Sequence, residues 1–435
     1  MSAVRESQCS VPVSFSQRRE MTHELAISFL MQQAVENPGV ISLAAGLVAP
    51  ETLPVEEVRA AVDAITSSAT RGRGALQYGT TPGYYKLREL ILNHFCSLEG
   101  ITREQAGIDI DNLMLTTGSQ QLLSLVCEVL FDPGDICLIS GPTYFVFAGN
   151  LDGVGARTVT IPVDDGGMRI DALEQALELL DQQGELSRVK LIYNVSYYDN
   201  PAGTCLATDR RRQLVELAQR YSRDHRILIL EDAAYRELRY DGEAFPSIWS
   251  FDESRGWVIY TQTFSKTFSP GVRVGFGVVP RDLLAPLSER KGNEDFGSSN
   301  FAQHLVAEVL SSGAYESHLQ KVRENYRAKR DAMVEAAHAH FADIDGVTWR
   351  EPHGGLYVWM TLPANIPTGF SSPMFRTAVE KGVMYVPGEI CYPTGMTNRP
   401  RTEMRLSYGV QSPEGIEKGM QILAEAVKAR ASDQE

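Results

Sequence analysis

Cysteine is scarce in this chain. The six present (Cys9, Cys96, Cys127, Cys137, Cys205 and Cys391) lie far apart in 435 residues. No C-x-x-C pair and no clustered histidines accompany them, which argues against a disulfide framework and a structural zinc site, and no metal is expected. Basic residues are the minority charge, 41 against 55 acidic, for a net charge of −14. Without a dense Lys/Arg block there is no footprint for a phosphate backbone, so nucleic acid is not an expected partner. Long apolar runs are missing as well. Nothing approaches the ~18 residues of a membrane span, and the opening MSAVRESQCSVPVSFSQRRE has no apolar core of a signal peptide. With these absences the cytoplasm is the expected location and no membrane partner is expected, and no internal repeat or low-complexity tract complicates the picture.

What the chain does have is 43% hydrophobic residues, ample for a large core, and a length that suggests two or three domains. Short apolar, β-branched runs appear at NLMLTT (from Asn112), ICLIS (Ile136), RTVTI (Arg157), VKLIYNV (Val189), RILIL (Arg226), WVIYTQ (Trp257) and VGFGVV (Val274). Helix-length segments such as DRRRQLVELAQRYSRD from Asp209 separate several of them. The alternation predicts an α/β fold, with a mainly parallel sheet flanked by helices and a ligand site at the carboxyl ends of its strands. From Tyr315 the pattern changes: Leu319, Val322, Tyr326 and Met333 fall on one helical stripe. That long helix leads into a second, smaller domain. The first ~15 residues and the final KARASDQE read as short polar tails.

Four of the strand ends carry chemistry. TTGSQQLLSLV, from Thr116, would aim the backbone N–H groups near Gly118, Ser119 and Gln120 at an anion, although a plain Ser N-cap after a Gly turn accounts for the same letters. RILILEDAAYREL puts Asp232 at the end of an apolar strand, where a carboxylate is costly to desolvate without a cationic partner, unless it caps the next helix. YYDNPAG follows VKLIYNV, and its Asn-Pro-x-Gly is by itself a turn signal. TFSKTFSPGVRVGFG sets Lys266 between Ser265 and Thr267, with Arg273 seven residues on. An exposed loop lysine is the plain alternative there.

In this order the set resembles the fold-type I, pyridoxal-phosphate-dependent aminotransferases, and more closely the class I branch that includes kynurenine and 2-aminoadipate aminotransferases. The resemblance runs from ISLAAGLVAP (Ile41) through LQYGTTPGYYKLRELI (Leu76), GPTYFVF (Gly141) and HGGLYVWM (His353) to MRLSYG (Met404). It implies pyridoxal 5′-phosphate as cofactor and Lys266 as the lysine that forms the Schiff base and then moves the substrate proton. Asp232 is then the partner of the pyridine nitrogen, Tyr235 and Asn200 the partners of the ring's 3′ oxygen, and Tyr144 the ring stacked on the cofactor. Ser119, Gln120, Ser265 and Arg273 would hold the phosphate, with Thr263 where relatives often carry Ser. Arg405 corresponds to the arginine that grips the substrate α-carboxylate, and Gly46 to a backbone group that assists. Tyr78 would reach across a homodimer interface to the partner's phosphate. The implied domains are an N-terminal segment and lid over 1–50, a large cofactor-binding domain over 51–310 and a small domain over 311–435.

Two motifs depart from the family pattern: Asp199 and Ala202 stand in YYDNPAG for a usual Gln and Thr, and AAGL at Ala44 replaces Gly-Gly-Leu. Both are expected near the substrate side. The same scaffold also serves lyases and other non-transaminase chemistry, and some transcription regulators carry such a domain behind a winged helix, for which the fewer than ~50 residues ahead of the first motif leave no room. For the donor, residues 25–33 of the lid, LAISFLMQQ, hold no positive charge, and Arg18 and Arg19 lie outside the apolar run. An aromatic or large aliphatic donor, with 2-oxoglutarate as acceptor, is the expectation.

Overall fold

Strands made of aliphatic and β-branched residues, without polar alternation, belong where both faces are covered. The computed structural model, which describes residues 13–21 and 39–432, has eight strands in one sheet, the central ones of this kind: β1 (Leu113–Thr117), β2 (Ile136–Gly141), β3 (Arg157–Asp164), β4 (Gly167–Met168), β5 (Val189–Val195), β6 (Leu228–Asp232), β7 (Val258–Thr263) and β8 (Val274–Val278). Their order is β1-β8-β7-β6-β5-β2-β3-β4. The run β7-β6-β5-β2-β3 is parallel. β8 is antiparallel to both β1 and β7, and β4 to β3. Every residue of β2, β6, β7 and β8 is buried. Helices supply the cover. α1 (Ser119–Leu130) turns Leu122, Leu123, Leu125 and Val126 inward, and α2 (Thr208–Tyr221) does the same with Leu214, Val215, Leu217 and Ala218.

α3 (Ala314–Phe341) buries Leu319, Val322, Tyr326 and Met333, the stripe expected from their spacing, and packs along α4 (Pro413–Ser432). Beside them lies an antiparallel sheet of β9 (Thr348–Trp349), β10 (Tyr357–Thr361), β11 (Val386–Pro387) and β12 (Glu403–Ser407), in the order β9-β10-β12-β11. A short parallel pairing of Ile41–Ser42 with Val383–Met384 draws the chain around residue 44 against this sheet.

Three local expectations change. The strand read from Arg226 begins at Leu228, because Arg226 turns aside to the Gly256 carbonyl and Asp282. Most of KARASDQE is no tail, since α4 continues through Ser432. Ser119 is not an N-cap: Gly118 holds that position, with φ +69°, and Ser119 is the first helical residue. Among the described residues no helix is long and apolar enough to cross a membrane, and no group of His, Cys, Asp and Glu is arranged to hold a metal.

Candidate active site

The pairings that build the sheet also assemble the site. Val195 stands opposite Asp232, and Asp232 opposite Thr261, so β5, β6 and β7 finish at one edge. β1 ends there too, at Thr117. Antiparallel β8 starts at that edge, paired Thr117 to Val274, and this brings the preceding Arg273 to the same place. A cavity of about 520 Å³ opens over these ends.

At one end of the cavity the groups are hydrogen-bond donors. Gly118 and the start of α1 face the Arg273 side chain, and a Cβ on Gly118 would come within 2.6 Å of Arg273 Nη2. On the other side a Cβ on Gly275 would sit 2.5 Å from the Gly118 carbonyl carbon and the Ser119 nitrogen, so backbone meets backbone there. Arg273 itself adopts φ +51°, an uncommon conformation for a residue with a side chain. Among the described residues its guanidinium donates only to neutral oxygens, Ser265 Oγ and the Thr117 carbonyl, both at 3.3 Å, and the Pro270 carbonyl. Thr263 Oγ1 is 2.9 Å from Ser265 Oγ, and the Gln120 side-chain oxygen is buried with no partner among the described residues. A helix N-terminus, a cation and two hydroxyls form a cradle for an anion such as a phosphate.

At the floor, β6 puts two carboxylates on opposite faces. Glu231 is fully satisfied on the α2 side by Arg211, Ser196 Oγ and the backbone N–H groups of Ile248 and Trp249. Asp232 faces the cavity. It accepts from Tyr193 Oη (3.0 Å) and the Ala234 N–H (3.1 Å), and no ion pair to it occurs among the described residues. Burial pushes its carboxyl up to about 6, against the pull of those two donors. This buried carboxylate suits a protonated heterocycle as its missing cation. Lys266 follows β7 in the turn after Thr263, and its Nζ donates to the Gly46 carbonyl at 2.9 Å. Burial is the main cause that lowers its pKa, and the nearby charges of Arg405 and Arg273 act in the same direction while Tyr357 opposes them. The ammonium proton is held loosely, as a lysine that must present a nucleophilic amine requires.

At the other end Arg405 arrives from β12, only 2% exposed. Nη1 donates to Asn200 Oδ1 (2.9 Å) and Nη2 to the Ala44 carbonyl (2.8 Å). The carbonyl of AAGL that meets the arginine is thus that of Ala44, while Gly46 serves the lysine. The guanidinium lies 4.4 Å above the Tyr357 ring, and Tyr357 Oη is 3.3 Å from Tyr235 Oη.

The cavity wall therefore gathers Gly46, Ser119, Gln120, Tyr144, Asn200, Asp232, Tyr235, Thr263, Ser265, Lys266, Arg273 and Arg405, every predicted site residue but one. Tyr78 stays outside, 82% exposed with its ring against Phe296. Asp199 and Ala202, expected near the substrate side, do not line the cavity. They are buried behind it, where burial, with Asp232 nearby, drives the Asp199 carboxyl well above its ordinary range. The lid stretch over residues 22–33 lies outside the described residues. Sequence reasoning missed Tyr193, Tyr357, Phe145, Val146 and Met384. Tyr193 had a signal, being a hydroxyl in the buried middle of the strand VKLIYNV, and Tyr357 sits inside the HGGLYVWM motif without having received a role.

A buried lysine amine, a cation-seeking carboxylate beneath it, an anion cradle on one side and a guanidinium on the other fit an aldehyde-bearing pyridine with a phosphate arm. On this α/β sheet they define a pyridoxal-phosphate-dependent enzyme of fold type I. The chain matches the family "Aminotransferase class I and II" over residues 38–423 and belongs to it. It is 38% identical over 396 residues to aromatic-amino-acid aminotransferase 1 of Thermococcus litoralis, covering 91% of this chain and 89% of that one. It is 33% identical over 395 residues to 2-aminoadipate transaminase of Thermus thermophilus, covering 90% and 91%. The structure of Pyrococcus horikoshii kynurenine aminotransferase in complex with PMP superposes with a TM-score of 0.87 at 35% identity, covering 95% of this chain and 97% of that one. The protein is an aminotransferase: it moves an amino group between an amino acid and a 2-oxo acid with pyridoxal 5′-phosphate as cofactor.

Proposed function

We propose that the donor is an L-amino acid with an aromatic or large aliphatic side chain, the acceptor 2-oxoglutarate, and the working form a cytoplasmic homodimer with shared active sites. The observation that carries the donor reading is the charge inventory of the cavity. Its described lining holds four charged side chains, Asp232, Lys266, Arg273 and Arg405, and each has a use in holding cofactor or α-carboxylate. Leu47, Phe145, Val146 and Met384 make up much of the remaining wall. A second carboxylate on the donor would lose its water there without a cation in return. Arg18 pairs with Glu128 and Arg19 lies over Phe15, and neither lines the cavity.

In this reading Ser119, Gln120, Thr263, Ser265 and Arg273 hold the phosphate, Tyr144 covers the ring face, and Asp232 keeps the ring nitrogen protonated. Asn200, whose Oδ1 is committed to Arg405, keeps its amide hydrogens for the ring's 3′ oxygen, and Tyr235 donates to the same atom. When bound, the cofactor supplies an aldehyde that takes up the amino group and a ring that accepts the electrons released at Cα. Arg405 orients the substrate by its α-carboxylate, and Lys266 removes the proton from Cα and returns it to the cofactor's C4′. The N-terminal segment (1–50), large domain (51–310) and small domain (311–435) then have separate tasks, lid, cofactor and carboxylate. Support for the homodimer comes from Leu76, Tyr78 and Phe296, apolar side chains left 62–82% exposed close together on the surface. The unpaired cysteines among the described residues accord with the cytoplasm.

The test is kcat/KM for phenylalanine, leucine, kynurenine, 2-aminoadipate and aspartate with 2-oxoglutarate as common acceptor. Phenylalanine, leucine or kynurenine should lead. A clear preference for 2-aminoadipate or aspartate would refute the reading and direct attention to Arg18 and Arg19.

A further inference from the structure

Tyr357 touches two parts of the site at once. In the register of β10 and β12, Trp359 stands opposite Arg405 and Tyr357 opposite Ser407. Residues two apart on a strand share a face, so Tyr357 is the diagonal neighbour of Arg405, and its ring comes to lie 4.4 Å from the guanidinium carbon. The ring face is the electron-rich side, and it holds the arginine by a cation–π contact from which most water is excluded. The far end of the same side chain reaches Tyr235 Oη at 3.3 Å. That hydroxyl also abuts Gly46: a Cβ there would stand 3.0 Å from it and 3.8 Å from Arg405 Nη2. The carbonyl of Gly46 receives the Lys266 ammonium. One side chain, 2% exposed, thus contacts the carboxylate-binding arginine through its ring, and the ring-oxygen tyrosine and the lysine's carbonyl partner through its hydroxyl.

We propose that Tyr357 is a positioning residue with two separable duties: its ring holds Arg405 in place for the α-carboxylate, and its hydroxyl donates to Tyr235 and so strengthens the hydrogen bond that Tyr235 gives the cofactor's 3′ oxygen. The inference rests on the proposed placements of Arg405 and Tyr235. A phenol has one hydrogen to give. If Tyr235 spends its own on the cofactor, its oxygen is left as an acceptor, and Tyr357 is the neighbour that fills it. Donors in series polarise one another. A more strongly polarised Tyr235 stabilises negative charge on the 3′ oxygen and lowers the pH at which the bound chromophore gives up its proton. Without the Tyr357 hydroxyl that pH must rise.

The experiment compares Tyr357→Phe, Tyr357→Leu and Tyr235→Phe, each loaded with cofactor, by spectrophotometric pH titration of the visible absorbance and by steady-state kinetics. Tyr357→Phe removes one oxygen and keeps the packing ring. Its midpoint should move upward by about 0.4 pH unit, a modest fraction of a charge-assisted hydrogen bond, with KM unchanged for donor and acceptor. Tyr357→Leu should show the same midpoint shift and, in addition, a KM raised about fivefold as the cation–π contact is lost. Tyr235→Phe should shift the midpoint further than either. If Tyr235→Phe shifts the midpoint and Tyr357→Phe does not, the inference is overturned while the reading of Tyr235 survives. If Tyr235→Phe leaves the midpoint in place, that reading fails and this inference falls with it.

Discussion

Replacing Arg405 should remove the enzyme's ability to tell an amino acid from a simple amine. A guanidinium offers five N–H donors. Two are committed within the chain, to Asn200 Oδ1 and the Ala44 carbonyl, and Nε is buried with no partner among the described residues, so the remaining donors are held for a ligand. A carboxylate that engages two of them gains two charge-assisted bonds, each contributing about 1.5 kcal/mol net at the low end, about 3 kcal/mol together. At about 1.4 kcal/mol per decade this corresponds to roughly a hundredfold in kcat/KM. Arg405→Gln should therefore lower kcat/KM for phenylalanine about a hundredfold. Arg405→Lys keeps the charge but not the fork, and should cost about tenfold. Because donor and acceptor both carry the α-carboxylate, the loss should appear for both half-reactions. The decisive control is 2-phenylethylamine, which has the side chain without the carboxylate. Single-turnover spectroscopy with this amine should give nearly the same slow rate in wild type and variants, so that the preference for phenylalanine collapses. A variant that retained the full preference would show that the carboxylate is bound elsewhere, and the assignment of Arg405 would be wrong.

Asp232 makes a prediction about stability without cofactor. Its folded-state pKa of about 6 exceeds the ordinary 3.8, chiefly through burial, so the folded protein binds the proton more tightly than the unfolded chain. Stability must fall as pH rises from about 4 through about 6, with a deficit of roughly 3 kcal/mol persisting above that window. Thermal melts of cofactor-free Asp232→Asn should lack this slope and lie above wild type at pH 7, and parallel pH profiles would contradict the argument. Lys266→Ala should lose turnover and the borohydride-reducible link to cofactor while still binding cofactor non-covalently; a reduced adduct mapped by mass spectrometry to another lysine would displace Lys266. Mixing Lys266→Ala subunits with Tyr78→Phe subunits should restore activity if Tyr78 serves the neighbouring site, because one dimer site is then intact. No recovery after verified subunit exchange would put Tyr78 to work in its own chain.

Much of this site was legible because strand ends are punctuated by residues that apolar strands do not otherwise tolerate. Asp232 after LILE and Lys266 after VIYTQT stand out as charges at the margin of a core, and the sheet register carries them to one edge. Arg273 was legible by motif only. Its arrival at that edge depends on β8 running antiparallel, which neighbouring letters do not specify. Tyr357 and Met384 escaped because they come from outside the main sheet, Tyr357 from the four-stranded sheet and Met384 from the pairing with Ile41–Ser42, where hydroxyl and thioether sit inside ordinary buried runs. Asp199 is next to the site without lining it: Asn200 reaches the cavity wall while its neighbour is buried beside it.

The two ends of the cavity differ in what they allow to change. Where Gly275 meets Gly118 and Ser119 main chain lies directly against main chain, and any side chain larger than hydrogen at Gly275 would have to displace β8 or α1. Leu47, Phe145, Val146 and Met384 line the wall with apolar side chains, and exchanging one such side chain for another changes no strand pairing. Under selection the first end is frozen and the second is free. A lineage that inherits this scaffold can exchange one amino acid for another through a handful of single substitutions, each passing through a folded, cofactor-competent intermediate, while the cofactor it started with remains the one position in its chemistry that no short mutational path can revise.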